Sequence, residues 1–306
     1  MKLRLRDLGS MDYGRCWELQ RQLFDALLAA KGAARSAAAA EEAKAAEGQQ
    51  TGADTEDVGT LLMVEHPPVY TLGKSGHAEN LLVGREMLER LGAQFYHIDR
   101  GGDITFHGPG QLVVYPILDL ERLGIGLRAY IEALEECVIR VAAHYGLRTG
   151  RIAGASGVWL GAGTDYGAAP AAAEAATEAA ATATEDAATA TEDAAADTTA
   201  EQAATAATLA ATAAEGAARC IGTAADGPTR KLCAIGVRSS RYITMHGFAL
   251  NVSTDLRWFE RINPCGFRDR GATSLEREIG RTIAMEEVKA LVAKNLSEIL
   301  NVEIYK

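Results

Sequence analysis

The 306-residue chain lacks any apolar run of the roughly 20 residues that a membrane-spanning helix needs. Its first ten residues alternate charged residues with leucine, and they lack the apolar segment of a secretory signal peptide. We therefore expect neither export nor membrane insertion, and a cytoplasmic location. Hydrophobic residues make up 48% of the chain and charged residues 24%, which is enough apolar material for a sizeable core.

Cysteine is scarce, and the five cysteines are widely spaced with no C-x-x-C pair. This pattern argues against a disulfide framework and against a tetrahedral zinc site. Cys16 and Cys137 lie in helical stretches and Cys233 lies in a strand, so we expect all three to be small core residues. Cys220 borders a low-complexity segment and has no assigned role.

Basic residues are absent between residues 167 and 216, where nine acidic residues occur. The formal net charge of the whole chain is −10, and outside this stretch 31 basic residues stand against 32 acidic ones. The rest of the chain is therefore nearly neutral. Nothing in this charge balance indicates a nucleic-acid partner.

Two segments contain almost no large apolar residues. One covers about residues 31–57, and the other covers about residues 163–228 and carries the tandem repeat TATEDAA. Such segments bury too little surface to offset their ordering entropy, so we expect disorder or a loose exposed helix. We interpret residues 1–306 as a single catalytic domain interrupted by these two inserts. The alternative role for these inserts is a docking arm for a partner.

The remaining residues alternate between helix and strand patterns. Apolar residues at helical spacing predict helices over residues 14–30, 127–145 and 285–300. Short apolar runs predict strands over residues 60–65, 112–118, 157–160 and 231–237. We expect the last two strands to pair as one hairpin, with the longer insert as its overgrown loop.

A glycine-rich segment, RGGDITFHGPGQ, covers Arg100–Gln111. Glycines let the backbone approach a ligand closely, and exposed N–H groups can hold a carbonyl or phosphate oxygen. A tight connection between two strands would give the same pattern. By spacing alone, both interpretations stay open.

Two further positions are candidates for chemistry. Lys231 starts an apolar strand, where a lysine is most often a solvated edge residue. Cys265 stands between Pro264 and Gly266, which is typical of a turn. A thiol on a rigid turn is exposed and oriented as a nucleophile must be.

Read together, these segments resemble the octanoyltransferases of lipoate biosynthesis. The chain matches that family's EHPP-x-YT-x-G, RGG-x-x-T-x-HGPGQ, K-x-x-A-x-G, HG-x-ALN and NPCG motifs, in the family's order. The motifs fall at Glu65–Gly73, Arg100–Gln111, Lys231–Gly236, His246–Asn251 and Asn263–Gly266. The resemblance covers nearly the whole chain outside the two inserts.

The resemblance implies an α+β fold, a mixed sheet flanked by helices, as in biotin and lipoate protein ligases. It also implies Cys265 and Lys231 as the catalytic pair. The acyl-substrate contacts that it implies are Arg100, Gly101, Gly102, Asp103, Ile104, Thr105, Phe106, His107, Ala234, Ile235, Gly236, His246, Gly247, Phe248 and Ala249.

The implied reaction moves an octanoyl group from octanoyl-acyl carrier protein, through a thioester on Cys265, to a lysine of a lipoyl domain. The acceptors would be the E2 subunits of 2-oxoacid dehydrogenases and the glycine cleavage H protein. No metal or organic cofactor is required. Lys231, His107 and His246 are rival proton acceptors in the second step. Phe106, Ile235 and Phe248 are candidate walls of an apolar acyl channel.

Three other functions remain as alternatives. An ATP-dependent lipoate or biotin ligase would activate a free acid and needs no cysteine. A thiol hydrolase would release free octanoate, and a non-catalytic carrier-binding protein would form no acyl-Cys265. The NPCG turn favours the transferase over the ligase.

Overall fold

The computed structural model describes residues 1–45, 57–161, 164–165, 227–263 and 271–306. Its strands are β1 (Lys2–Ser10), β2 (Asp57–Glu65), β3 (Val69–Leu72), β4 (Gln94–His97), β5 (Ile104–His107), β6 (Gln111–Leu118), β7 (Gly150–Ile152), β8 (Ala155–Leu160), β9 (Arg230–Ser240), β10 (Ile243–Asn251), β11 (Gly271–Ala272) and β12 (Glu303–Tyr305). Its α-helices are α1 (Tyr13–Ala45), α2 (Arg85–Arg90), α3 (Leu127–His144), α4 (Leu275–Ile279) and α5 (Met285–Leu300), and two 3₁₀ helices cover Ala78–Asn80 and Leu256–Arg261.

The strands form two sheets. The larger has the order β12-β1-β2-β6-β10-β9-β8-β7, with β11 added beside β9, and the smaller has the order β4-β3-β5. Parallel pairs (β1 with β2 and with β12) occur beside antiparallel ones (β6 with β10, β9 with β8), so the larger sheet is mixed. With helices packed on both faces, this is the expected α+β architecture.

Strand β2 shows why both faces of the larger sheet are covered. Its run LLMV is apolar at every position, which is typical of a strand buried on both sides. Leu61 and Met63 belong to the core under α3 and α5, whereas Leu62 and Val64 belong to the core under α1. The sheet is therefore the middle layer between two helical layers.

Helix α1 is longer than the sequence pattern predicted. It extends from Tyr13 to Ala45 and so includes the start of the first predicted insert. Residues 32–36 are exposed, in agreement with an exposed helix, but Lys31 is buried and its ammonium lies 2.7 Å from the Asp119 carboxylate. Alanine, lysine and glutamate favour helix strongly enough to continue α1 past its apolar face.

The predicted hairpin of the larger sheet is confirmed. Strands β8 and β9 are antiparallel neighbours, with Val158 opposite Cys233. Most of the insert that connects them lies outside the described residues. The last helix also has its predicted bounds, and its Val288, Val292 and Leu296 are fully buried.

Within the described ranges, we find no helix that combines the length and the apolarity needed to cross a membrane.

Gly247 in β10 allows the close approach of β6. A Cβ atom at this position would lie 2.1 Å from the Val114 carbonyl oxygen. We expect Gly247→Ala to lower the free energy of unfolding by about 1–3 kcal/mol, because the strands would have to move apart. Urea denaturation measures this change.

Gly32→Ala on α1 is the matched control, since its Cβ would have no neighbour within 4 Å. We expect this variant to be up to about 1 kcal/mol more stable than the parent, because alanine favours helix. Equal midpoints for Gly247→Ala and the parent protein would contradict the packing argument.

Candidate active site

A cavity of about 380 Å³ lies beside β9, between this strand, the glycine-rich segment and the first turn of α3. Its walls carry both apolar side chains and exposed backbone, as binding sites for small ligands do. The sequence-predicted residues that line it are Arg100, Gly101, Gly102, Asp103, Ile104, Thr105, Lys231, Ala234, Ile235, Gly236 and Ala249. The predicted residues that do not line it are Phe106, His107, His246, Gly247 and Phe248.

The Arg100 side chain folds back over the glycine-rich loop that it starts. Its guanidinium donates to the carbonyl oxygens of Gly101 and Asp103, each at 2.7 Å. The guanidinium therefore shapes the loop from within. The loop also bonds to β9 directly, because the Gly101 N–H donates to the Val237 carbonyl oxygen at 3.2 Å.

Two glycines outside the loop make room for it. A Cβ at Gly236 would lie 2.7 Å from Arg100 Cδ, and one at Gly73 would lie 2.2 Å from the Gly102 carbonyl oxygen. Gly73 and Gly236 close two of the recognised motifs. Because neither glycine has a side chain, both motifs can pack closely against the glycine-rich loop.

Gln111 and Asn251 join the ends of two motifs. The Gln111 amide donates to Asn251 Oδ1 at 2.8 Å, and the Asn251 amide donates to the Thr273 carbonyl oxygen at 2.8 Å. Both side chains are buried, so these bonds have little competition from water. They tie the glycine-rich segment, β10 and the residue after β11 into one unit.

Lys231 lies at the point where three strands meet. It is directly opposite Trp159 of β8 and Ala272 of β11, and its carbonyl oxygen accepts a bond from the Thr273 N–H at 2.9 Å. Its ammonium lies 4.3 Å from the centre of the Trp159 ring, which is a cation–π contact. Lys231 is therefore a positioned residue of the cavity wall and not a solvated edge lysine.

His107 lies behind the cavity wall, buried and hydrogen-bonded. Its Nδ1–H donates to Gln111 Oε1 at 2.8 Å, and its ring stacks on Tyr13 at 5.9 Å. Burial, with a further contribution from nearby His66, lowers the pKa of His107 to about 3. This environment favours a neutral ring that holds a strand in place.

His246 is also behind the wall. Its Nε2–H donates to Asp99 Oδ1 at 3.1 Å. Burial lowers the pKa of His246, although the Asp99 carboxylate opposes that shift. Neither predicted histidine reaches the main cavity.

The cysteines that were predicted to be core residues are buried. Cys16, Cys137 and Cys233 are all inaccessible, and burial raises the pKa of each thiol, for Cys16 to about 12. None of the three is suited to nucleophilic attack. Cys220 and Cys265 lie outside the described residues.

The apolar walls of the cavity differ in part from those predicted. Ile235 lines the cavity, and Phe248 lines a small pocket of about 30 Å³ that shares Ile235 with it, whereas Phe106 stacks on Trp258. Sequence reasoning missed the following lining residues: Leu127, Ile131, Trp159 and Phe259. Trp159 is the cross-strand neighbour of Lys231, but the long insert between β8 and β9 hides that register in the sequence.

Proteins of similar sequence belong to a family with this architecture. The sequence model of the lipoyl protein ligase A/B catalytic domain matches residues 36–297. An octanoyltransferase of Bacteroides fragilis is 41% identical over 296 residues, which is 97% of each chain. An octanoyltransferase of Flavobacterium johnsoniae is 38% identical over 304 residues, which is 99% of this chain and 98% of that protein.

Solved structures with the same fold include a bipartite lipoate protein ligase of Thermoplasma acidophilum. Its TM-score is 0.54 at 13% identity, and the match covers 100% of this chain and 86% of that one. The LipL1 protein of P. falciparum has a TM-score of 0.53 at 9% identity, covering 99% and 66%. The chain thus belongs to the lipoyl protein ligase A/B catalytic domain family and, within it, to the octanoyltransferases, which are acyltransferases.

The buried histidines make stability depend on pH. Burial lowers the pKa of His66 to about 4 and that of His107 to about 3, whereas an unfolded histidine titrates near 6.5. As pH falls below 6.5, the unfolded chain takes up protons that the folded chain does not. Stability is therefore lost with falling pH, by up to about 1.4 kcal/mol per pH unit for each histidine.

We expect His107→Gln to reduce this slope between pH 6.5 and 4.5, as measured by urea denaturation at each pH. His144→Gln is the control, since His144 is on the surface at the end of α3. Equal slopes for His107→Gln and the parent protein would show that His107 is not held neutral.

Proposed function

We propose that the protein transfers an octanoyl group from octanoyl-acyl carrier protein to a lysine of a lipoyl domain, with Cys265 as nucleophile and Lys231 as its partner. The observation that carries this proposal is the position of Lys231 in the wall of a cavity that the glycine-rich loop also lines. Full-length relatives named octanoyltransferase support the choice of acyl group.

In the first step, the Cys265 thiolate attacks the carbonyl carbon of the donor thioester. The bond from that carbon to the carrier's phosphopantetheine sulfur breaks, and the leaving sulfur takes a proton from the Lys231 ammonium. The ammonium serves twice, because a nearby positive charge favours the thiolate before the attack.

In the second step, the acceptor lysine amine attacks the acyl-Cys265 thioester. The carbon–sulfur bond breaks, an amide forms, and the amine proton passes to Lys231, which is neutral after the first step. Lys231 is favoured over His107 and His246 as the proton acceptor, because it lines the cavity and they do not. No ATP is consumed, since a thioester is a more reactive acyl donor than an amide.

The chain path supports the pairing of these residues. Asn263 precedes Cys265 by two positions, and Gly271 follows it by six. From Gly271 the chain enters β11, which pairs with β9 at Arg230 and Lys231. The segment that contains Cys265 is therefore attached on one side to the strand that carries Lys231.

The glycine-rich loop supplies candidate groups for the developing negative charge. Backbone N–H groups that point at the thioester oxygen would stabilise the tetrahedral intermediate. The apolar contacts of Ile235, Leu127 and Ile131 suit the alkyl chain of the substrate.

Lipoyl domains of 2-oxoacid dehydrogenase E2 subunits and the glycine cleavage H protein are the proposed acceptors. In support, one structural relative is a lipoate protein ligase described together with its E2 lipoyl domain. The ligase alternative for this chain has less support, because relatives that match nearly the whole chain are named octanoyltransferase.

The acyl-enzyme is directly measurable. After incubation with octanoyl-acyl carrier protein and no ATP, we expect one octanoyl adduct on Cys265, detected by mass spectrometry and removed by hydroxylamine. Cys265→Ser should abolish transfer to a lipoyl domain, whereas Cys233→Ser, which changes a buried thiol, should retain it. Wild-type transfer rates in Cys265→Ser would rule out the mechanism, and a requirement for ATP would favour the ligase.

The role of Lys231 has a separate test. Without its ammonium, the Cys265 thiolate is less favoured, so Lys231→Ala should shift the pH dependence of Cys265 alkylation by iodoacetamide to higher pH. Lys294→Ala is the matched control, because Lys294 lies on the exposed side of α5. An unshifted profile in Lys231→Ala would remove Lys231 from this role.

A further inference from the structure

Asp99 immediately precedes the glycine-rich loop and contacts two neighbouring strands. Its Oδ1 accepts a bond from His246 Nε2 on β10, and its Oδ2 accepts one from Arg238 Nη1 on β9. Since Met245 lies opposite Arg238 in the register, the two partners are diagonal neighbours across the strand pair. One carboxylate therefore joins the start of the loop to both β9 and β10.

The loop depends on such outside attachments. Gly101 and Gly102 have no side chains to pack, and Gly102 has a positive φ of 90°. On one side, backbone bonds such as Lys74 N–H to the Arg100 carbonyl oxygen hold the loop near the smaller sheet. On the other side, the bond from Gly101 N–H to Val237 and the Asp99 carboxylate hold it to the larger sheet.

The backbone conformation of His246 is a second sign that this connection is functionally constrained. Its φ is +64°, a left-handed conformation that is uncommon for residues other than glycine, and it occurs inside a buried strand. In this conformation its N–H donates to the Gln20 side chain at 3.2 Å, while its imidazole reaches Asp99. Strained residues of this kind persist where the surrounding structure holds them and often occur at functional sites.

We propose that Asp99 is a positioning residue that sets the width of the acyl cavity by tying the glycine-rich loop to β9 and β10 through Arg238 and His246. Gly101 and Gly102 line the cavity, as do Ala234, Ile235 and Gly236 of β9, the strand on which the loop packs. The inference rests on the proposed function in that it assigns this cavity to the acyl group. Asp99 itself does not line the cavity, so it acts through the loop.

A binding measurement tests the width of the cavity apart from catalysis. The probe is an unreactive ketone analogue of octanoyl-pantetheine, in which a methylene group replaces the thioester sulfur, and its affinity is measured by calorimetry. We expect Asp99→Ala to weaken binding at least tenfold, because the wall is no longer fixed. Asp99→Asn retains an acceptor oxygen for His246 but loses the charge that pairs with Arg238, so its loss should be smaller.

Asp7→Ala is the matched control. Asp7 is also a partly exposed carboxylate in an ion pair, 2.8 Å from Lys289, and it lies on β1 away from the cavity. Its affinity for the analogue should stay within twofold of the parent value. Asp99 variants within twofold of the parent, or an equal loss in Asp7→Ala, would overturn the proposal.

A double variant tests the route through His246. His246→Asn keeps a residue that tolerates the left-handed conformation but removes the imidazole. If both changes break one connection, Asp99→Ala with His246→Asn should bind no more than twofold more weakly than Asp99→Ala alone. Additive losses would overturn the proposed connection.

The selectivity for chain length gives a readout that general destabilisation would not change. Asp99→Ala should alter the ratio of affinities for the octanoyl and dodecanoyl analogues at least threefold, and an unchanged ratio would reduce Asp99 to a structural role. A failure of the proposed function would give a different experimental result from a failure of the Asp99 proposal. In that case the parent protein binds the octanoyl analogue but forms no adduct on Cys265 from the thioester itself.

Discussion

Strand β9 is the element on which the site depends. It pairs with β11 at Arg230 and Lys231, with β8 between Arg230 and Cys233, and with β10 from Cys233 to Ser240. The same strand supplies Lys231, the Ala234–Gly236 wall and the Val237 carbonyl that receives the glycine-rich loop. Since a one-residue slip would turn every side chain to the other face, the pairing of β9 with β8, β10 and β11 fixes all these groups together.

Buried polar side chains hold further residues of the site in fixed positions relative to β9. Gln111 and Asn251 are buried, so each would be destabilising without its hydrogen-bond partners. Their bonds connect the glycine-rich segment to Thr273, whose N–H meets Lys231. Three of the recognised motifs are thus joined in this region.

Much of this arrangement could be predicted from the sequence. Apolar periodicity predicted the final helix, the hairpin of β8 and β9, and burial of Cys137 and Cys233, since those features depend on local pattern. The location of Lys231 in the site could not be predicted from local pattern. Local pattern indicated a solvated edge residue, and only the family resemblance assigned it a role, because the strands on either side of it are distant in sequence.

Other features were beyond the reach of a sequence pattern. A histidine looks the same in a sequence whether it is buried and hydrogen-bonded or lies in an active site. The location of His107 behind the cavity wall could therefore be established only from the structure. A phenylalanine is apolar whether its side chain lines a cavity or packs in a core. The locations of Phe106 and Phe248 could therefore not be predicted from the sequence. The register between β8 and β9, which places Trp159 opposite Lys231, spans a long connection whose low-complexity sequence carries no signal of that register.

That connection has a consequence for the formation of the cavity wall. Closing the 69 residues between Leu160 and Arg230 costs about 3 kcal/mol more chain entropy than a two-residue turn would. This entropy acts against the pairing of β8 with β9, and β7 and β8 form the outer edge of the sheet. The side of the cavity that carries Trp159 therefore rests on the strand pair whose formation this chain entropy opposes.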